Sequence, residues 1–235
     1  MFLRTLAIWA LGLPLTAFIF LAIIATFAFD RSGRAIHAIV SFWSRLILLI
    51  SGVSVHVEGM ENIPRGRAVV FLSNHQGAFD IPVLQGFIPV QFRWVAKKSL
   101  FRVPLIGWSM SLAGYIAIDR DNAAEALRSM EAAAWRIRKG TSVLIFPEGT
   151  RSETGKLLPF KRGGFMLAAK SGVPIVPIAV SGTNVVMRRG GFSVRPASVR
   201  VRFGRPIETE GAEDKYLRNR TKEAIEALYT DIQGV

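Results

Sequence analysis

The clearest capacity for acid–base chemistry in this sequence belongs to a histidine and an aspartate five positions apart, His75 and Asp80. They follow the apolar run of residues 68–72, whose length and β-branched content predict a buried strand. Folds place chemistry in the loops at strand ends. A histidine can take a proton near neutral pH, and a carboxylate beside it can orient the ring and stabilise the imidazolium. Pro82 favours a helix beginning near Asp80, so a bend could bring the two side chains together. Taken alone, the spacing is more typical of a structural, hydrogen-bonded turn histidine, because geometry rather than spacing makes a catalytic pair.

A second polar loop follows a second predicted strand. The apolar run of residues 143–146 breaks at a proline and a glycine into the loop that carries Glu148, Gly149, Thr150 and Arg151. A guanidinium can bind a phosphate through two parallel hydrogen bonds, and backbone amides freed by glycine can add donors. Arg151 is therefore the candidate for binding a phosphate group. The alternative is an ordinary Pro-Glu-Gly turn with an exposed ion pair.

Together, Asn-His-x4-Asp at residues 74–80 and Phe-Pro-Glu-Gly-Thr-Arg-Ser at residues 146–152 resemble motifs one and three of the glycerolipid acyltransferases. The resemblance is closest to the 1-acyl-glycerol-3-phosphate acyltransferases of bacteria. It implies that His75 is the general base that removes a proton from a substrate hydroxyl, and that Asp80 orients it. The hydroxyl would attack an acyl thioester directly, with no acyl-enzyme. Glu148 would hold the glycerol backbone of the acceptor.

Two further stretches resemble the remaining motifs of this family. In the second motif basic residues contribute to phosphate binding, and the candidates are Lys97, Lys98 and Arg120. The alternative for each lysine is a solvated charge beside an amphipathic helix near a membrane. Residues 173–180 resemble the fourth motif and predict a buried strand that forms wall and core. The one departure is at residues 77–78, Gly-Ala, where related sequences often carry a hydroxyl residue. It puts a local helix-capping role in doubt.

The composition favours anionic partners. The chain of 235 residues has a formal net charge of +13, with 30 Lys plus Arg against 17 Asp plus Glu. Nucleic acid, phosphate-bearing substrates and an anionic membrane surface all fit this charge, and so does a merely solvated basic face. The absence of cysteine excludes disulfides, thiolate metal sites and an acyl-cysteine. The motifs typical of lipases, P-loop nucleotidases and zinc proteases do not occur. His37 and His56 lack a comparable context, and we expect both at the surface.

The amino-terminal segment predicts membrane attachment. Residues 5–29 carry no charge and are long enough as a helix to span a hydrocarbon core of about 30 Å. A cleavable signal peptide is the competitor, but the apolar run is long and no clear cleavage site follows. Residues 30–50 predict a second apolar helix with a narrow basic stripe, ending at Ser51-Gly52. A spanning helix followed by a surface helix, and a hairpin dipping into one leaflet, both fit.

The chain predicts two parts, an attachment segment at residues 1–51 and an α/β domain at residues 52–235. We expect a layered, mostly parallel or mixed sheet flanked by helices. The clearest helices are residues 122–139 and 212–232. The predicted strands are residues 53–57, 68–72, 92–96, 115–118, 143–146, 175–180 and 199–203.

The resemblance implies an enzyme that moves a fatty acyl chain from acyl-CoA or acyl-carrier protein to the sn-2 hydroxyl of lysophosphatidic acid, giving phosphatidic acid. It implies no metal, no further cofactor and no nucleic acid. Arg31, Arg34 and Arg45 outnumber Arg4, which puts the globular part on the cytoplasmic face of the inner membrane. Two alternatives stay open. One is the same chemistry on another lysolipid, such as lyso-ornithine lipid or a lysophospholipid with a head group. The other is a non-catalytic, membrane-tethered binder of anionic lipid.

Overall fold

The fold is one α/β layer structure with a helical pair at its amino terminus. We describe it from a computed structural model, which defines residues 2–119, 122–152, 154–188 and 190–233. The strands are β1 (Val53–Glu58), β2 (Val70–Ser73), β3 (Phe92–Lys97), β4 (Ile116–Ile118), β5 (Ser142–Ile145), β6 (Ile175–Ser181) and β7 (Ala197–Phe203). The helices are α1 (Phe2–Phe29), α2 (Arg34–Ser51), α3 (Asp80–Phe87), α4 (Ile106–Leu112), α5 (Ala123–Arg138), α6 (Gly163–Ser171), α7 (Thr183–Val186) and α8 (Asp214–Gln233).

The strands form a mixed sheet in the order β1-β7-β6-β2-β5-β3-β4. All neighbouring pairs are parallel except β6 and β7, which run antiparallel. The predicted α/β class is confirmed, and each predicted strand is present with ends that differ by about two residues at most. The central strands β2 and β5 are buried along their whole length, as their uninterrupted apolar runs require.

Each face of the sheet has its own apolar core. One core, built around Phe71, Phe92 and Phe203, lies on the side of α2 and α3. The other, built around Ile137, Phe165 and Ile225, lies under α5, α6 and α8. Helices therefore cover both faces, and the strand ends are left as the places where polar side chains can reach solvent.

The amino-terminal helices form an antiparallel pair, and both are long and apolar enough to cross a membrane by length and composition. Pro14 lies inside α1, which continues without interruption. The second helix begins at Arg34 rather than at residue 30, because the Asp30 carboxylate accepts the amide of Ala35 at 2.8 Å and Gly33 adopts a left-handed conformation with φ 73°. Gly52, with φ 67°, closes α2 as expected.

One polar residue of α2 is buried, and this overturns one expectation. His37 is buried, with only 3% of its surface exposed, whereas His56 is exposed as predicted. Gln85 of α3 donates to Ser41 at 3.0 Å, and Arg45 donates to the carbonyl of Gly86 at 2.7 Å. The basic stripe was expected to lie at an interface. Its Arg34 and Arg45 are exposed, while Arg45 and Ser41 also hydrogen-bond to α3. Apolar side chains such as Phe42 and Leu49 lie on the outer surface of the pair.

Candidate active site

The two predicted loops meet at one edge of the sheet. Strands β2, β5 and β3 are parallel neighbours, so their carboxyl ends lie side by side. His75 follows β2 directly, and Glu148 and Arg151 follow β5. The backbone joins the loops as well, since the amide of Ser152 donates to the carbonyl of His75 at 2.8 Å. The edge therefore brings together both stretches that the sequence singled out.

His75 and Asp80 form a hydrogen-bonded pair. Nδ1 of His75 lies 2.6 Å from Oδ2 of Asp80, and the carboxylate can only accept, so Nδ1 carries the proton. This leaves Nε2 as the ring nitrogen that can take a proton. The ring also stacks on Phe146, with centroids 3.8 Å apart and planes at 6°. The pairing and the stacking together fix both the tautomer and the plane of the imidazole.

The carboxylate of Asp80 is fully buried and saturated with donors. Besides the histidine ring, Oδ2 accepts the amides of Gln76 at 2.6 Å and Gly77 at 2.9 Å. Oδ1 accepts the hydroxyl of Thr183, the first residue of α7. Four donors compensate the burial of this charge, so the carboxylate is held rigidly behind the ring.

Glu148 lies beneath the site rather than at its surface. Only 2% of it is exposed, and its two oxygens accept the amides of His75 at 2.7 Å and Leu158 at 2.9 Å. Burial raises the pKa of this carboxyl from 4.5 to about 7; the two amides act against that shift, and the Asp80 charge adds to it. In this structure Glu148 connects loops. A contact with the glycerol backbone of an acceptor stays a prediction.

Glu148 should make stability depend on pH. Since its pKa is about 7 in the folded chain and 4.5 ordinarily, the folded state binds more protons in between, and stability falls as pH rises from about 4.5 to 7. The full effect corresponds to about 3 kcal/mol. We expect Glu148→Gln, which cannot titrate, to gain stability relative to the unmodified chain over this range. The measurement is the unfolding midpoint of both proteins from pH 4 to 8. The exposed Glu131→Gln serves as the control, and parallel curves for Glu148→Gln and the unmodified chain would contradict the assignment.

An open depression of about 240 Å³ is lined by His75, Gly149, Thr150 and Arg151. Gly149 has φ 71°, which a glycine adopts without strain, and it turns the chain so that three consecutive residues border the depression. Among the residues that the structure describes, no carboxylate pairs with Arg151. Its guanidinium is available to an anion placed beside the histidine.

The basic residues of the second motif lie farther along the same edge. Lys97 ends β3, two strand spacings from β2, so its backbone lies roughly 10 Å from that of Asn74. Lys98 pairs with Asp119 at 3.1 Å. Neither lysine lines the depression. Arg120 lies outside the described residues. The phosphate-binding role of all three stays a prediction.

Several residues that hold the site were not singled out from the sequence. The Asn74 side chain donates to the carbonyl of Val180 at 2.8 Å and accepts its amide at 2.7 Å, so it extends the pairing of β2 with β6 by one rung. Asn74 belongs to the quoted motif, and its position at a strand end was the available signal. Phe146 likewise belongs to the second quoted motif, but its stacking on His75 is recognisable only in the folded chain. Thr183 carried no comparable pattern, because its partner Asp80 is distant in the sequence.

The carboxy-terminal helix also reaches this edge. Tyr229 of α8 donates to the carbonyl of Gly155 at 2.8 Å, and Nε2 of the buried Gln76 donates to the same carbonyl at 3.0 Å and to the tyrosine hydroxyl. The residue next to the histidine is thus tied both to the loop that follows Arg151 and to α8.

The departure from the family pattern at Gly77 has a packing reason. A Cβ added there would lie 2.8 Å from the carbonyl oxygen of Thr183, so any larger residue would push α7 away. The N-cap of α3, Phe79, has no side-chain capping hydrogen bond, and the Asp80 carboxylate accepts the preceding amides instead. Glycine here allows the close approach that brings Thr183 onto Asp80.

A larger depression, of about 570 Å³, lies at the opposite edge of the sheet. It is bordered by residues 64–69, which precede β2, and by Arg138, Gly140 and Ser142, which precede or begin β5. It holds no histidine or carboxylate. We therefore place the candidate active site at the smaller depression, where an acid–base pair lies beside the guanidinium of Arg151.

Comparison with known proteins identifies the family of the chain. The model of the family described as Acyltransferase matches residues 54–181. The chain is similar to the 1-acyl-sn-glycerol-3-phosphate acyltransferase of Cocos nucifera, with 38% identity over 80% of this chain and 60% of that protein. A protein of the same name from Pseudomonas aeruginosa is 35% identical over 74% of this chain and 68% of its own length.

The fold has a solved counterpart. The crystal structure of the 1-acyl-sn-glycerophosphate (LPA) acyltransferase PlsC from Thermotoga maritima superimposes with a TM-score of 0.86 at 25% identity, covering 100% of this chain and 96% of that one. The chain spans about three fifths of the length of the first curated relatives it matches, 60% and 58%. More than half of the chain matches the family model, and residues of motifs one and three border the candidate site. The chain belongs to the acyltransferase family.

Proposed function

We propose that this protein transfers a fatty acyl chain from a thioester donor to the free sn-2 hydroxyl of lysophosphatidic acid and so makes phosphatidic acid. The observation that carries the proposal is the His75–Asp80 pair at 2.6 Å, placed in a depression that it shares with Arg151. The relatives named for this reaction support the choice of acceptor.

The chemistry follows from the protonation of the ring. The acceptor hydroxyl gives its proton to Nε2 of His75 as its oxygen attacks the thioester carbonyl, and Asp80 stabilises the imidazolium that forms. A carbon–oxygen bond forms, the carbon–sulfur bond breaks, and the departing thiolate takes the proton back from Nε2. Backbone amides and basic groups of the 149–151 loop would stabilise the oxyanion. The step needs no cofactor beyond the donor, acyl-CoA or acyl-carrier protein.

The amino-terminal helices suit a substrate that resides in lipid. The outer face of α1 exposes Leu3, Leu13 and Phe18, and an apolar helix of this length is stable in a bilayer. We place the protein at the cytoplasmic face of the inner membrane, where the acyl tails of acceptor and product need not cross water. Glu148 would contribute to acceptor binding from beneath the site, and Lys97 and Lys98 from the neighbouring strand end outside the depression.

Arg151 supplies the test of the acceptor. If it binds the phosphate through two hydrogen bonds, Arg151→Ala should raise KM for lysophosphatidic acid by about 10- to 100-fold, the scale of a lost charged hydrogen-bonding pair. Arg151→Lys should recover only part of this loss, because an ammonium cannot form the paired geometry. The measurement is acyl transfer by the purified protein in detergent, with acyl-CoA and acyl-carrier protein as donors and a panel of lysolipid acceptors.

Exposed Arg128 of α5, changed to alanine, provides the matched control for lost charge. Transfer restricted to lyso-ornithine lipid or to a lysophospholipid with a head group would show that this lysolipid, rather than lysophosphatidic acid, is the acceptor. An unchanged KM in Arg151→Ala would remove Arg151 from the acceptor site. Binding of anionic lipid without any turnover would support the alternative that the protein is a non-catalytic, membrane-tethered lipid binder.

A further inference from the structure

A cluster of exposed apolar side chains follows β3, in what we call the 100–108 segment. Five large hydrophobic residues within nine positions are between 39% and 60% exposed, namely Leu100, Val103, Leu105, Ile106 and Trp108. The segment comprises the end of a 3₁₀ turn, Lys98–Arg102, and the start of α4. Soluble surfaces rarely concentrate apolar side chains in this way, and such patches mark interaction sites.

The position of the segment joins two parts of the molecule. It begins just after Lys97, at the same edge of the sheet as His75. At its other end the ring of Trp108 lies 6.0 Å from that of Phe20 in α1. The segment therefore contacts α1 at one end and adjoins the sheet edge that carries the candidate active site at the other.

The backbone holds these side chains outward. Leu105 has φ 62° and ψ −61°, the backbone angles of a γ-turn that is strained for a leucine. The amides of Ile106 and Gly107 donate to the carbonyls of Pro104 at 2.7 Å and Val103 at 2.8 Å, which closes the turn. A Cβ at Gly107 would lie 2.5 Å from the backbone of Leu100 and Phe101, so the turn is packed tightly. This tightly packed, strained turn holds Leu105 and Ile106 at the surface, where they can contact a partner.

The charges around the 100–108 segment indicate what kind of partner it contacts. Lys97, Lys98 and Arg102 border it and are exposed, and residues 97–108 contain no acidic side chain, although Lys98 pairs with Asp119. An apolar centre with a basic rim matches the interface of an anionic bilayer, where apolar groups enter the acyl boundary and cations meet phosphates. The contact with α1 favours the same lipid surface over a protein partner.

We propose that the 100–108 segment is a second membrane-inserting element, which enters the headgroup and acyl boundary beside α1 and holds the edge bearing His75 against the bilayer. An acceptor could then reach Nε2 with its acyl chain still in lipid, a consequence that rests on the proposed function. The insertion itself is a property of the surface and can be tested without turnover.

The absence of cysteine in this chain permits a direct test. Single variants Ile106→Cys, Leu13→Cys and Leu127→Cys would each carry an environment-sensitive fluorophore, in full-length protein reconstituted into phosphatidylglycerol and phosphatidylethanolamine vesicles. Leu127 is the matched control, since it is exposed on α5, on the other face of the sheet. We expect labels at 106 and 13 to be quenched by nitroxide lipids and to be several-fold less accessible to iodide than the label at 127.

A label at 106 that is as accessible to iodide as the label at 127 overturns the proposal, whatever the label at 13 reports.

The activity of substituted proteins provides a second test. Ile106→Gln and Trp108→Gln should lower transfer to an acceptor embedded in vesicles several-fold, and leave transfer to a short-chain acceptor dissolved as monomers unchanged, with Leu127→Gln affecting neither. Equal losses on both acceptors, or no loss on either, would contradict insertion. Activity on the dissolved acceptor tests the proposed reaction separately.

Discussion

Replacing His75 by alanine is expected to lower the rate of acyl transfer by about 10²-fold or more. That is the scale of losing a general base, and the effect should fall on kcat because, in the proposed mechanism, the ring takes its proton as the hydroxyl attacks. The substitution should remove the ring without disturbing the backbone around residue 75. The backbone contacts of residue 75, with Glu148 and Ser152, do not involve the ring and remain available to an alanine. The measurement is the initial rate with saturating donor and acceptor in detergent.

A second readout separates lost chemistry from lost structure. Alanine at position 75 leaves a space against Phe146, where the ring had stacked. Added imidazole should restore part of the rate, which a purely structural defect would not allow. The exposed histidine of β1, changed in His56→Ala, should leave the rate unaltered. Full activity of His75→Ala would refute the mechanism, and the absence of any imidazole rescue would weaken the role of the ring as base.

Two variants of Asp80 are expected to separate its effect on the orientation of the His75 ring from the effect of its negative charge. Oδ2 faces three N–H donors, whereas Oδ1 faces only the hydroxyl of Thr183, which can itself accept. An asparagine at position 80 can therefore place its oxygen toward the three donors and its amide toward Thr183. Asp80→Asn should keep the orientation and tautomer of His75 and lose only the negative charge. Asp80→Ala should lose both and leave buried donors unsatisfied, at about 1–3 kcal/mol each.

We expect Asp80→Ala to lose about 10²-fold or more in rate, and Asp80→Asn to lie between it and the unmodified chain. Nitrogen-15 spectra of the histidine rings, of which the chain has three, should show Nδ1 of His75 still protonated in Asp80→Asn. Adding Thr183→Val to Asp80→Asn removes the acceptor for the asparagine amide. The rate should then fall by a larger factor than when Thr183→Val is made in a chain that keeps Asp80. A reversed tautomer in Asp80→Asn would show that the amide turns its nitrogen toward the ring.

Much of the sheet could be predicted from the sequence, because its strands are short apolar runs rich in valine and isoleucine that end at proline, glycine or polar residues. Residues 143–146 illustrate this, since the break at Pro147 marks both the end of β5 and the start of the loop with Glu148. The motif loops could be placed at strand ends for the same reason. The antiparallel pairing of β6 with β7 could not, because a buried strand reads alike in either direction.

The remaining features of the site depend on contacts between distant segments. Thr183 is 103 positions from Asp80, and Tyr229 is 153 positions from Gln76, so no local spacing pairs them. His37 was placed wrongly for a related reason. A polar stripe on an apolar helix is compatible with water, with headgroups or with a polar partner, and Gln85 and Gly86 of α3 turned out to be that partner.

The strand order also constrains the timing of folding. β1 follows α2 directly but lies at the edge of the sheet with β7 as its hydrogen-bonded neighbour, and the paired residues Glu58 and Arg202 are 144 positions apart. At ribosomal speeds the ladder partner of β1 emerges on the order of ten seconds after the apolar helices. During that interval α1 and α2 are complete while the sheet is not. The helices can therefore settle in a bilayer first, and the last strands then assemble at a surface where the chain is already held.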